Sequence, residues 1–369
     1  MGLKGQVSVV FIIFVVLTLV IVLYNVGLNW WFSGSRTERI TSRAELQSEV
    51  YAANNALVAA KSYAETALDY SVYQAIYDTL RRGGWNEIPR DRRVNIDGTY
   101  YTVWYRDREE SLPSIENVKN SLTRLIKRSM DIYTGENYHF LDEYSVSLPD
   151  YKIVVILNEH SIDVMADSES NLQITKTQES GEVIHLEKDP LIKSTYDIDI
   201  NDILRYGMEV GKNLTELLRK REEGFTSTLP RSGSKEKTVS FCPSADNPDI
   251  TDNEVLEEVT GKTVEEFRTN FQETIDSILS EITSSVWQNG YTVEIKKAGD
   301  TGLKIIPTCE WTCKPDGDKF VSRKTCTFDY STEYTLLVSI TDTSERFPVY
   351  NGRNIALEPP RLFFVIKSE

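Results

Sequence analysis

TERITSRAELQSEVYAANNALVAAKSYAETALDYSVYQAIYDTLRR, residues 37–82, contains neither proline nor glycine. Alanine and other good helix formers dominate it, so nothing local draws the backbone out of the α-conformation. Leu46, Val50, Ala53, Leu57, Ala60, Ala64 and Ala67 recur at alternating spacings of four and three. That is the heptad seam of an amphipathic helix. The pattern drifts on to Leu68, Val72, Ala75, Ile76 and Leu80, and Gly83-Gly84 supplies the stop. At ~1.5 Å per residue such a helix spans roughly 70 Å. Two partners suit the seam: the chain's own globular part, or a second copy. Alanine at four of the seven seam positions permits close approach but supplies little burial energy, which favours the first.

Upstream, Lys4 is the sole charged side chain before Arg36, and Val9 to Tyr24 is apolar except for Thr18. About 20 helical residues cross a hydrocarbon core of ~30 Å. Trp30 and Trp31 follow, where interfacial aromatics belong. The expectation is therefore a transmembrane helix near Val7–Val26, with a break at Gly34 before the long helix. A cleaved secretory signal fits less well, because the run is long and the small-x-small triplet Ser33-Gly34-Ser35 lies behind Trp30-Trp31-Phe32.

Lys4-Gly5-Gln6-Val7-Ser8 stands directly before the apolar run. It resembles the class III signal peptide of archaeal type IV pilin-like proteins. The resemblance implies cleavage between Gly5 and Gln6 with the helix retained, and Gln6 and Ser8 match the first and third positions after the cut. Val10 stands where many members carry a glutamate. A first helix that is half anchor and half spine also resembles pilin-like proteins. The resemblance implies a single-pass cell-membrane protein with most of the chain extracytoplasmic, whose partners are the lipid bilayer and either further copies or surface-complex proteins. Flanking charges do not orient the helix, since Lys4 and the N-terminal amine face Arg36, Arg39 and Arg43. Cysteine usage and the readiness of long domains to translocate place the bulk outside.

The remainder alternates helix and strand signals. Thr99–Tyr105 is β-branched and aromatic, hence a strand. A helix follows from Pro113 to about Met130, then strands at Lys152–Leu157, Ser161–Ala166, Leu172–Thr177 and Glu182–Leu186, joined by turns at Asn158-Glu159-His160 and Glu179-Ser180-Gly181. A second helix covers about Ile200–Arg221. Residues 223–262 are rich in Gly, Ser, Pro and charge and read as a linker. Thr263-x-x-Glu266 is a capping box opening a helix to about Trp287. Strands follow at Tyr291–Lys296, Leu303–Trp311, Thr325–Tyr330, Tyr334–Thr341 and Arg361–Ile366. The expected fold is α+β: a transmembrane helix (1–35), a long amphipathic helix (36–84), and two modules (85–222 and 263–369), each a helix with an antiparallel sheet.

Net charge is −15, which repels phosphate backbones and argues against nucleic acid. All four cysteines, Cys242, Cys309, Cys313 and Cys326, lie beyond the first module. An even count in a presumed outside region favours two disulfides over zinc or free thiols. Cys309 and Cys313 on one strand would sit about 13 Å apart, too far to bond each other. A hairpin turning at Pro315-Asp316-Gly317-Asp318 brings Cys309 near Cys326 and leaves Cys242 for Cys313; the swapped pairing needs only a small register change. His139, His160 and His185 are scattered, and no Gly-x-Ser-x-Gly, His-Glu-x-x-His or phosphate loop accompanies them, so no catalytic residue and no cofactor is assigned. Asp197-Ile-Asp199-Ile-Asn201-Asp202 begins like a calcium loop but lacks its sixth-position glycine and twelfth-position glutamate. Thr251-x-x-Glu254 reads as a capping box, and Asn213-Leu214-Thr215 is a glycosylation sequon. The sequence thus points to a structural or adhesive pilin-like surface protein. The alternative is a tethered ligand-binding or accessory subunit that does not polymerise.

Overall fold

The computed structural model describes residues 4–107, 109–135, 144–177, 183–244, 249–285, 290–299, 301–350 and 354–368; at 4–15, 29–42 and 282–285 it describes the main chain alone. In chain order the elements are α1 (Lys4–Arg81), a single 3-10 turn at Arg90–Arg92, β1 (Arg93–Ile96), β2 (Thr99–Arg106), β3 (Glu109–Glu110), α2 (Ile115–Gly135), β4 (Ser145–Ser147), β5 (Lys152–Leu157), β6 (Ile162–Asp167), β7 (Leu172–Thr177), β8 (Val183–Lys188) and β9 (Ile192–Tyr196). They continue with α3 (Ile200–Ser227), β10 (Ser232–Val239), α4 (Asp252–Thr260), α5 (Val264–Ser285), β11 (Tyr291–Lys297), β12 (Gly302–Asp316), β13 (Lys319–Asp342), β14 (Phe347–Tyr350), β15 (Ile355–Glu358) and β16 (Arg361–Ser368). The fold is α+β.

α1 is continuous through Gly27 and Gly34, so the expected break is absent. The expected transmembrane helix is also corrected: among the described residues no helix is long and apolar enough to cross a membrane. Side chains along this stretch are described from Val16 onward, and the apolar ones through Val26 are exposed. α1 ends where Gly83 and Gly84 take φ of 64° and 84°, and the Gly84 amide returns to the Thr79 carbonyl at 2.9 Å. Left-handed backbone at this point is what glycine tolerates and other residues resist.

The chain divides into two compact units that do not follow sequence order. One comprises the residues up to Ala64 with Thr134–Pro149 and Glu169–Pro190. In it, the alanine-rich seam of α1 packs on a three-stranded antiparallel sheet of order β4-β7-β8. Ala53, Ala56, Leu57 and Ala60 meet Tyr144, Leu172, Ile174 and Ile184 in one buried cluster. Small side chains let the helix lie close, and the larger residues on the sheet supply the buried area. Leu46 and Val50, the first two seam positions, remain 47% and 40% exposed.

The second unit comprises Glu65–Tyr133, Asp150–Ser168 and Leu191–Glu369. Its main sheet runs β1-β2-β16-β13-β10, with β11 and β12 also on β13 and β3 on β2. Every pairing is antiparallel except that of β16 with β2. This corrects the expectation of two sequential modules with separate antiparallel sheets. β2 carries a continuous buried run, Thr102, Val103, Trp104 and Tyr105. A strand covered on both faces belongs in a sheet interior, and β16 supplies its neighbour. Of the remaining strands, β14 and β15 form a two-stranded sheet, and β5, β6 and β9 a small antiparallel one whose Tyr196 hydroxyl donates to Asp69 Oδ1 at 2.6 Å.

β13 is 24 residues long and does not stop at Ser331-Thr332-Glu333, where two separate strands were expected. Thr332 is buried, and its hydroxyl donates to Glu222 Oε1 at 2.5 Å. Residues 223–262, expected as a linker, carry the end of α3, β10 and α4. Gly233 lies in β10 because a Cβ there would overlap Val259 of α4. α3 approaches the main sheet through Gly207 and Gly211. A Cβ on Gly207 would lie 2.5 Å from Leu362 Cδ2, and one on Gly211 would overlap Tyr105 Cε2. The Tyr105 hydroxyl donates to the Met208 carbonyl at 3.0 Å, so the ring cannot withdraw without losing that bond, and burial pushes its phenol up to about 12. Beneath the helix, Trp104 stacks on Phe364 with centroids 4.4 Å apart.

Gly211→Ala is therefore expected to destabilise the protein by about 1–3 kcal/mol in urea unfolding, the usual scale for overpacking. Gly224→Ala, where a Cβ meets nothing within 4 Å, is expected to be neutral or mildly stabilising. Equal effects at the two positions would contradict the close helix–sheet contact.

Candidate functional site

The cysteines lie on and beside the distal half of β13. Along it Ser322, Lys324, Cys326 and Phe328 alternate inward, beneath Val255 and Leu256 of α4. β10 pairs on one side and β12 on the other. Gly317, at φ 60°, turns the chain from β12 into β13, and this register sets Cys309 directly opposite Cys326. They form one disulfide with Cα atoms 4.0 Å apart; Cys242 and Cys313 form the other at 5.9 Å. The second bridge ties the chain after β10 back to β12 across 71 residues, whereas the first spans 17. In the chain-entropy picture these closures contribute about 4 and about 3 kcal/mol.

Polar groups reinforce the clasp. The buried Lys324 ammonium donates to the Ile250 carbonyl at 3.0 Å and pairs with Asp252 at 2.5 Å. Trp311 Nε1 donates to Ser322 Oγ at 2.9 Å, and Ser322 Oγ donates to Asp249 Oδ1 at 2.7 Å. Asp252, Cys309 and Cys326 present ligand atoms within 4.8 Å of one another. With both sulfurs in a disulfide, the trio offers a carboxylate and no thiolate for zinc.

The other residues singled out by sequence fall in separate places. Lys4, Gly5, Gln6 and Ser8 lie in the first turns of α1, with side chains outside the description; His139 and the Glu179-Ser180-Gly181 turn lie outside the described residues. His185, in the first unit, bonds Glu187 Oε1 through Nε2 at 2.9 Å. His160, in the second, bonds Asp199 Oδ2 through Nδ1 at 2.7 Å. Asp199 is the N-cap of α3, its Oδ1 accepting from the Asp202 amide at 2.7 Å. Asp202 accepts from the Tyr291 hydroxyl at 2.9 Å and pairs with Arg205. Two acids of the calcium-like run, Asp199 and Asp202, are thus spent on capping and pairing. Thr251 and Glu254 form the capping box of α4. Asn213 is exposed on α3, with Thr215 Oγ1 donating to the Gly211 carbonyl at 2.8 Å.

Sequence reasoning did not identify a cleft of about 420 Å³ in the second unit. Tyr70, Gln74 and Asp78, four residues apart on α1, and Arg82 just beyond its end form one wall. Arg128, Ile132 and Tyr133 of α2 form another, and the β14–β15 hairpin closes it with Tyr350 and Ile355. The hairpin is fixed to α1 by the Tyr350 amide donating to Gln74 Oε1 at 2.8 Å and by Phe347 stacking on Tyr73 at 5.1 Å. The signal available in sequence was the polar stripe at Tyr70, Gln74, Asp78 and Arg82, on the opposite side of α1 from the apolar drift.

Two outcomes follow from these bonds. The Cys242→Ser/Cys313→Ser double variant is expected to lose more stability than Cys309→Ser/Cys326→Ser in urea unfolding, because it opens the longer loop; the reverse order would contradict the assignment. The hydrogen bond and charge of Asp199 raise the His160 pKa above its ordinary value. The pair's contribution to stability is therefore full below about pH 6.5 and is lost as pH rises through the folded value. In an NMR titration, Asp199→Asn is expected to lower the His160 midpoint; an unchanged midpoint would contradict the pairing. No family model, no curated protein and no solved structure matches this chain.

Proposed function

We propose that this is an extracytoplasmic surface protein, pilin-like in plan, with a structural or adhesive role. The observation that carries the reading is the complete pairing of its four cysteines in two disulfides. Structural disulfides persist in oxidising surroundings and are rare where glutathione and thioredoxin keep thiols reduced. The pilin-like part rests on the N-terminal motif and on α1. Its described apolar side chains from Val16 to Val26 are each more than half exposed, Ile21 at 51% and Tyr24 at 66% among them. Contiguous apolar surface of that kind marks an interaction site. The same stretch of neighbouring copies would bury it, which is how an N-terminal helix serves in a filament. Its first turns carry Lys4-Gly5-Gln6, where processing would expose Gln6 as the new N-terminus.

A second reading, an accessory subunit that binds a ligand without polymerising, is favoured by the cleft and by Val10 in the place of the filament-packing acid.

Intact-mass analysis of protein from its native cells, under non-reducing conditions, tests the proposal. Loss of residues 1–5 with no alkylatable thiol is expected, and Gly5→Leu should retain Met1. Four free thiols would overturn the extracytoplasmic assignment. Retention of residues 1–5 in the parent protein would overturn the pilin-like one.

A further inference from the structure

We propose that the cleft between α1, α2 and the β14–β15 hairpin binds a neutral saccharide. This gives the adhesive reading its ligand class and rests on that reading only for where the ligand is met. A sugar ring presents an apolar C–H face and a rim of hydroxyls that both donate and accept. The matching site sets aromatic faces beside planar polar side chains able to engage neighbouring hydroxyls as a pair. Tyr70, Tyr133 and Tyr350 line the cleft and are 40%, 37% and 57% exposed. They come from three different elements, so the fold gathers aromatic surface here from distant parts of the chain.

The polar groups beside them are partly uncommitted, Arg82 spending Nη1 on the Asn86 carbonyl at 2.7 Å. Asp78 and Arg128 have side chains with no hydrogen-bond or ion-pair partner among the described residues. Gln74 spends its carbonyl oxygen on the Tyr350 amide, which orients its NH2 as a donor. A carboxylate, a guanidinium and an amide together supply an acceptor pair and several donors, the set that vicinal hydroxyls require. Other ligand classes fit less well. An apolar ligand would desolvate Asp78 and Arg128 without replacing their bonds to water. A phosphate polyanion would find Arg82 and Arg128 in the cleft, but Asp78 stands beside them and the chain carries a net charge of −15. The volume, about 420 Å³, is of the order of small-ligand sites, ~300–1,000 Å³.

The full chain is screened on an array of neutral and uronic-acid glycans. Hits are then titrated calorimetrically with the corresponding free di- and trisaccharides. At least one neutral glycan is expected to bind, with Tyr350→Ala and Asp78→Asn each weakening it about tenfold or more, a loss of ~1.4 kcal/mol. Both positions are at least partly open to solvent, so the melting temperature should stay within a degree or two. A control substitution, Ile156→Ala on β5, should leave binding unchanged. No bound glycan, or binding unaffected by both cleft substitutions, would overturn the proposal; so would binding confined to uronic acids. None of these results bears on the disulfides or on N-terminal processing, so failure here is distinct from failure of the extracytoplasmic reading.

Discussion

β13 is the element on which the second unit depends. Its 24 residues do two tasks with one backbone. From Tyr334 to Thr341 it pairs with β16, and from Leu336 to Asp342 with β11, burying Leu336, Val338 and Ile340 in the main sheet. From Phe320 to Thr327 it pairs with β10 and β12 in a ribbon against which α4 packs. The first half is stabilised by apolar burial. The second buries Ser322 and Lys324 where a core would place leucine and valine. Two disulfides and the ion pair of buried Lys324 with part-exposed Asp252 stand in for the missing hydrophobic area, as disulfides do in small domains that cannot build a sufficient core.

That division explains which parts of the architecture were legible from sequence. The seam Ala53, Leu57, Ala60 declared itself because helical period and burial coincide there. Thr251 with Glu254 and Thr263 with Glu266 announced helix starts, since a capping box is a local bond pattern; the Thr263 amide indeed donates to Glu266 at 2.6 Å and the Glu266 amide returns to Thr263 Oγ1 at 3.2 Å. β10 was hidden because Ser232-Gly233-Ser234 reads as a loop. The glycine there serves the close approach of Val259, a tertiary reason that no local rule contains. The joining of β2 to β16 was hidden for the same reason: their pairing spans most of the chain, and only the buried run at Val103, Trp104 and Tyr105 hinted that β2 is interior. The N-terminal apolar run announced a membrane helix by composition; α1 does run through it from Lys4, but among the described residues no helix is long and apolar enough to cross a membrane.

The cleft was the least legible feature. Tyr70, Arg128 and Tyr350 come from three distant segments, and each has an ordinary local explanation. Only their convergence gives them a shared chemistry. Of the residues that drew attention in sequence, His160, His185, Asp199 and Asp202 are occupied by capping and pairing. In this chain local signals mark structure, and the candidate for recognition arises where the fold collects exposed tyrosines beside Asp78 and Arg128, whose side chains have no partner among the described residues.

Hydrogen exchange along β13, read by mass spectrometry before and after reduction, tests the two-part account most directly. The account predicts that amides of Leu336–Ile340 exchange slowest in the second unit and keep their protection when the disulfides are reduced. Amides of Arg323–Thr327 should lose protection under the same treatment. Equal protection of both halves after reduction, or loss of protection in both together, would contradict it.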